Sequence, residues 1–155
     1  MQDLEFFFPA PEEREEPSIV FFAETGGREI SAPEQNRLTD WINRVIRARN
    51  CTLGTLNYIF CDDDYLHKIN VKHLQHDTLT DIITFPMQKA PVIGGDIFVS
   101  TERVADNAKD NGVSYEEELR RVLIHGVLHL TGQGDKTEKE AREMRQLENW
   151  ALKTW

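Results

Sequence analysis

The sequence predicts an α+β fold: one domain in which a small β-sheet of about four strands packs with about five helices. Three observations lead there. Four short runs rich in β-branched and aromatic residues are bounded by turn residues, as strands are. Five longer stretches carry apolar residues at helical spacing or open on helix-capping residues. A chain of 155 residues, 39% of them hydrophobic, is the size of a single domain with a real core. No internal repeat and no second domain is visible.

The elements follow in order. Residues 1–16 read as an acidic N-terminal tail ahead of a domain spanning 17–155, with Phe6, Phe7 and Phe8 free to meet the body or a partner. Ser18–Ala23 (SIVFFA) reads as a strand, and Thr25-Gly26-Gly27 as the turn after it. From Pro33 to Arg49, Leu38, Trp41, Ile42, Val45 and Ile46 repeat at helical spacing. Thr55–Phe60 (TLNYIF) is the second strand. Asp62-Asp63-Asp64 opens a helix running to about Leu74, because carboxylates cap free N–H groups and suit the positive helix end. That capping role is preferred to a metal site.

Ile82–Phe85 (IITF) is the third strand, stopped by Pro86. Gly94-Gly95 reads as a turn and Asp96–Ser100 (DIFVS) as the fourth strand, which suggests a hairpin at one sheet edge. Thr101–Asp110 is a short helix closed by Asn111-Gly112. Ser114 opens the next helix, with Glu117 at capping-box spacing. It runs to about Leu130 and is apolar nearly all round from Val122, so its second half is buried. Thr137 and Glu140 cap a last helix.

The net charge of −9 argues against broad, non-specific nucleic-acid binding, which needs positive charge to displace counterions. It does not bear on a local cleft. Cys51 and Cys61 form no CxxC pair and read as packed, reduced thiols. No stretch approaches the roughly 20 apolar residues of a membrane span. The first residues lack the basic and apolar regions of a signal peptide, so a cytoplasmic location is expected.

Residues 125–135, HGVLHLTGQGD, carry the chemistry. His125 and His129 stand one helical turn apart on one face of a buried helix. Gly132 breaks that helix, and Asp135 follows within reach of a turn back. Two nitrogens and one oxygen can hold a first-row divalent metal and leave a position for water. Buried histidines without partners are costly, so each needs a hydrogen bond or a metal. Zincin proteases carry HExxH, with the glutamate as general base; here Gly126 holds that place, and peptidase chemistry loses its proton shuttle.

HGVLHLTG resembles the signature HGxLHLxGxDH of the YbeY family of bacterial rRNA maturation endoribonucleases. Asn70–Phe85 (NVKHLQHDTLTDIITF) resembles that family's segment NxxYRxxDxxTDVLSF, and Gly95-Asp96-Ile97 its GDI strand. Together the matches span about residues 56–135. The resemblance implies a single α+β domain with a small mixed sheet, and one divalent metal, usually zinc, held by three side chains. It implies hydrolysis of single-stranded RNA in rRNA processing, chiefly at the 3′ end of the small-subunit RNA, with ribosome quality control. Implied partners are the small ribosomal subunit, a small-subunit ribosomal protein and an Era-type GTPase.

Two positions depart from the family pattern. The third ligand there is histidine, ten residues after the first; that place holds Asp135, a competent zinc ligand, whereas a one-residue shift would offer Lys136, whose ammonium cannot ligate. The family's Tyr-Arg pair is His73-Leu74 here. Arg121, one turn before His125, is a substitute phosphate contact, or else an ion-pair partner of Glu117. Lys72 and His73 are further candidates. Thr80, Asp81 and Thr84 either orient ligands or line the pocket, or with Asp77 serve only turn and strand geometry.

Three functions fit these residues. The first is an endoribonuclease of rRNA maturation, with a metal that lowers the pKa of water and steadies phosphate charge. The second is a ribosome-assembly factor that binds RNA or ribosomal protein, its metal mainly structural. The third is a metal-dependent hydrolase of another substrate. Arg44, Arg47 and Arg49 on the first long helix form either an RNA contact or, in the preferred reading, a solvated face.

Overall fold

The computed structural model describes residues 16–74 and 80–155. The tail with Phe6–Phe8, and Asp77, lie outside the described residues. The described elements are β1 (Ser18–Ala23), α1 (Ala32–Ala48), β2 (Thr52–Cys61), α2 (Asp63–Leu74), β3 (Ile82–Pro86), β4 (Val92–Ser100), α3 (Thr101–Asn111), α4 (Tyr115–Leu130) and α5 (Glu138–Lys153). They form an α+β domain with a mixed four-stranded sheet in the order β1-β2-β4-β3. β1 and β4 run parallel to β2, while β3 pairs antiparallel with β4 at one edge. The hairpin expected at a sheet edge is this β3–β4 pair.

Local chemistry accounts for the element ends. Asp62 caps α2, its Oδ1 accepting from the Tyr65 amide at 2.9 Å. Ser114 caps α4, accepting from the Glu117 amide, and Thr137 and Glu140 form a complete capping box on α5. Gly112 closes α3 in the left-handed conformation at φ 66°.

One expected turn is not a turn. Gly94 and Gly95 lie inside β4, which begins at Val92. Opposite them β2 carries a register irregularity between Leu53 and Leu56. There the Thr55 amide donates to the side chain of Gln88 at 3.0 Å, and that side chain occupies the space beside Gly94. Gly95 has φ 147° and lies against the Phe85 carbonyl, where a Cβ would collide. Two glycines that read as a turn are therefore strand residues against which another chain segment closes.

The main core lies on one face of the sheet. There Leu56, Tyr58, Phe60, Ile93, Ile97 and Val99 pack against α1 and α4, with α3 and α5 completing the layer. Helix α2 covers part of the opposite face, its Leu66 packing with Cys61 and Ile83 of the sheet. Burial pushes the Cys61 thiol up to about 12, which suits an inert packed cysteine.

Helix α4 is held at three kinds of contact. Its apolar residues Val122, Leu123, Ile124, Val127 and Leu128 are all buried. The buried Tyr58 hydroxyl donates to the Leu123 carbonyl at 2.9 Å. A Cβ on Gly126 would meet Ile82 Cδ1 at 2.9 Å and Ile97 Cδ1 at 3.1 Å, so the helix seats against the sheet at its one position without a side chain. A glutamate there would enter the core, which excludes the HExxH arrangement on geometry as well as on sequence. Tyr58→Phe should lower unfolding free energy by about 1 kcal/mol, the usual worth of one such hydrogen bond. Urea denaturation, with an unchanged slope, is the check.

Candidate metal centre

The close seat at Gly126 turns His125 and His129 toward the end of the sheet beside β3. Their rings meet edge to face with centroids 4.6 Å apart. Helix α4 ends at Thr131, Gly132 takes φ 104°, and the chain folds back to bring Asp135 to both rings. Asp135 Oδ2 lies 3.2 Å from His129 Nε2 and 3.4 Å from His125 Nε2. The three side chains remain 24%, 30% and 37% exposed for His125, His129 and Asp135, so the site is reachable from solvent.

The hydrogen bonds fix which nitrogen faces the site. His129 Nδ1 lies 2.9 Å from the Gln133 carbonyl, which only accepts, so Nδ1 carries the proton. His125 Nδ1 lies 2.6 Å from Glu148 Oε2, again an acceptor. In its neutral form each ring therefore turns an unprotonated Nε2 toward a carboxylate oxygen. Lone pairs facing each other in this way are bridged by a cation, either a proton on Nε2 or a metal ion. A tetrahedral ion with bonds of about 2.0–2.2 Å sets its donors roughly 3.3–3.6 Å apart. The observed separations of 3.2 and 3.4 Å lie near that range, and the three donor atoms lie within 4.8 Å of one another. The group His125, His129 and Asp135 can hold a metal ion.

Behind His125 stands a chain of charges that sequence reasoning missed. Glu148 on α5 is 7% exposed and takes Arg121 Nη1 on Oε1 at 3.0 Å while Oε2 meets His125. Arg145 Nη1 lies 3.6 Å from the same Oε1. Burial works against the His125 imidazolium, but the hydrogen bond and charge of Glu148, with Asp135 and Asp81, outweigh it and hold its pKa above the ordinary value. Burial likewise disfavours the Glu148 carboxylate, yet His125 and Arg121 hold its pKa below the ordinary value. The available signal was a glutamate in line with buried Met144 and Ala151 on the inner face of α5.

Arg121 is thus an ion-pair residue, but not with Glu117. Its guanidinium is engaged by Glu148 and by Asn149 Oδ1 at 2.9 Å. The i, i+4 partner lost because Glu148 offers a desolvated carboxylate with fixed geometry, whereas Glu117 is exposed at the helix start.

The metal group lies in a cleft of about 1150 Å³ whose walls include Thr80, Asp81, Thr84, Met87, Lys89 and Lys136. Asp81, with a pKa raised by burial, also faces the smaller side pocket that holds Arg121 and Glu148. Thr80, Asp81 and Thr84 are therefore gathered at the site. Lys72 and His73 are not: both are exposed on α2, and His73 lies across the edge of Phe85, away from the metal group. Among the described residues, Lys89 and Lys136 are the lysines that line the cleft; Lys89 was not singled out from sequence, and Lys136 was weighed there only as a metal ligand and set aside. Arg44 and Arg49 bond to the Thr154 carbonyl and Thr131 hydroxyl, so the basic run on α1 makes local contacts.

A sequence profile described as Endoribonuclease YbeY matches residues 23–155. The chain belongs to the endoribonuclease YbeY family. Among relatives of that name, one from Flavobacterium johnsoniae is 55% identical over 121 residues, covering 78% of this chain and 87% of the relative. One from Amoebophilus asiaticus is 47% identical over 133 residues, covering 85% and 89%. A protein of Thermotoga maritima solved in solution superimposes with a TM-score of 0.62 at 25% identity, covering 88% of this chain and 87% of that one. The YbeY match includes every residue of the metal group and of the charge chain behind it.

Three outcomes are expected of metal binding. Asp135→Ala should lower metal content in the purified protein, read by elemental analysis, while unchanged content would remove Asp135 from the ligand set. Glu148→Gln, which leaves all three donors in place, should weaken metal affinity about tenfold to a hundredfold, as loss of a ligand's orienting partner does. Because a ligating Nε2 must be free of its proton and the His125 pKa is raised, affinity should fall as pH drops through that raised value. Titration with a metal indicator across pH tests both.

Proposed function

We propose that this protein is a metal-dependent endoribonuclease that hydrolyses phosphodiester bonds in single-stranded RNA during rRNA maturation. Family membership supports the reaction class, and relatives at 47–55% identity bear the name Endoribonuclease YbeY. The single observation that carries the reading is the pair of imidazoles whose Nε2 atoms converge on Asp135 Oδ2 at the wall of a cleft. Zinc is the metal proposed, from the two nitrogens and one carboxylate oxygen.

His125, His129 and Asp135 hold the ion, which when bound lowers the pKa of water and withdraws charge from a phosphate oxygen. Glu148 and the Gln133 carbonyl keep the two rings in the tautomer that ligates. Arg121 is a positioning residue that holds Glu148 in place. Lys89 and Lys136 attract the RNA backbone to the cleft and take the part of the arginine missing at Leu74. Their local charge explains how a chain of net charge −9 binds an anionic strand.

The cellular assignment goes further. We place the activity in the cytoplasm, at the 3′ end of the small-subunit rRNA and in ribosome quality control, with the small subunit, one of its proteins and an Era-type GTPase as partners. Among the described residues no helix is long and apolar enough to cross a membrane.

Cleavage of a single-stranded RNA by the purified protein, beside His129→Ala prepared identically, tests the enzyme. Activity in the first and loss of at least a hundredfold in the second is expected, with the fold of the variant checked by circular dichroism. Equal activity in both would assign the cleavage to a contaminant. A variant that loses activity but still co-sediments with small subunits would place ribosome binding outside the metal centre.

A further inference from the structure

The sheet has a second face, and its groove has no part in the metal centre. Side chains alternate along strands. On β3 and β4, Ile82 and Ile97 point at Gly126 of α4, so Ile83, Phe85, Asp96 and Phe98 point to the α2 side. There Tyr65, Ile69 and His73 of α2 face Phe85, Met87, Asp96 and Phe98 across a cavity of about 340 Å³. Phe85 meets Phe98 edge to face at 5.7 Å and His73 at 6.1 Å, so the walls are ring faces and edges held in fixed orientations.

Three features narrow what this groove receives. Its rings suit a flat unsaturated ligand. Among the described residues, its one carboxylate is Asp96, which repels phosphate but accepts hydrogen bonds; one oxygen already takes Asn57 Nδ2 at 3.1 Å. And it joins the catalytic cleft: Met87, 72% exposed, lines both, so a strand lying in the cleft needs only to pass over Pro86 and Met87 to reach it. Single-stranded RNA is read in this manner, with splayed bases stacked on aromatic side chains and their edges hydrogen-bonded.

We propose that the groove is a base-binding subsite. It takes one unstacked nucleobase with an exocyclic amino group, adenine, cytosine or guanine before uracil, from the RNA strand whose backbone lies in the cleft. Tyr65, Phe85 and Phe98 supply the stacking surface and Asp96 accepts from the amino group. The proposal rests on the ribonuclease reading and adds a specificity to it.

The full-length, metal-loaded protein is assayed on short single-stranded RNAs, each with one abasic nucleotide at a successive position. One position near the cleavage site should lower kcat/KM by at least about fivefold, the lower end of what a lost base stack costs. Phe85→Leu should lower kcat/KM on intact RNA by a similar factor and remove the sensitivity to that abasic position. Its salt dependence should be unchanged, since no phosphate contact is lost. Asp96→Asn, which leaves the packing alone and serves if Phe85→Leu fails to fold, should erase the preference for cytidine over uridine at that position. Independently of turnover, 5-iodocytidine at that position should photocross-link to Tyr65, Phe85 or Phe98.

If the wild type cleaves RNA but no position is abasic-sensitive, or cross-links fall only outside the groove, the subsite is overturned and the enzyme stands. If the wild type neither cleaves nor binds RNA, both readings fall together.

Discussion

The rest of the structure depends on the contact between Gly126 and the sheet. Helix α4 is apolar nearly all round and must be enclosed, yet it must also present two imidazoles to solvent. Both demands are met because the helix presses its side-chain-free position onto Ile82 and Ile97. His125, one residue earlier, is then rotated to the margin of the contact, and His129 follows one turn later. The Tyr58 hydroxyl locks the helix along its axis at Leu123, two residues before the first imidazole. Close packing of this kind leaves little freedom for either ring.

Electrostatics completes what packing begins. An imidazole on a half-buried helix face can turn over, and either nitrogen can bear the proton. Glu148 and the Gln133 carbonyl remove that freedom by taking both Nδ1 protons. Glu148 in turn is a carboxylate with little access to water, and it stays ionised because Arg121 and His125 bracket it. A chain from Arg121 through Glu148 to His125 thus links the inner face of α5 to the metal group. The same chain explains why Arg121 does not face the cleft: its charge is used in holding Glu148 against His125, and Lys89 and Lys136 supply positive charge on the cleft side.

β3 serves both faces of the domain. Its Ile82 packs under α4, its Thr84 lines the metal cleft, and its Phe85 closes the aromatic groove under α2. An edge strand is suited to this, since among the described residues no strand pairs with its outer side, and the alternation of side chains delivers successive residues to opposite faces. The aromatic groove and the metal cleft are consequently separated by the thickness of one strand and joined over Met87.

Local interactions were legible in the chain. The strand runs, the helix faces of Leu38 through Ile46, the caps at Asp62, Ser114 and Thr137, and the HxxxH spacing all involve residues a few positions apart, whose geometry follows from backbone periodicity alone. Asp135 was legible too, because a glycine and six residues of chain suffice to return it to His129. Glu148 was not, since it lies 23 residues from His125 and only the packing of α5 on α4 makes them neighbours. Gly94 and Gly95 misled for the same reason: their spare space is filled by Gln88 and Phe85, and sequence carries no trace of what will fill it. The sequence by itself determined most of the elements, their faces and the three side chains that converge as a group able to hold a metal. The tertiary structure alone decided the tautomers, the partner of Arg121, the lysines of the cleft and the aromatic groove, because each is a contact across elements that becomes definite only when the helices close on the sheet.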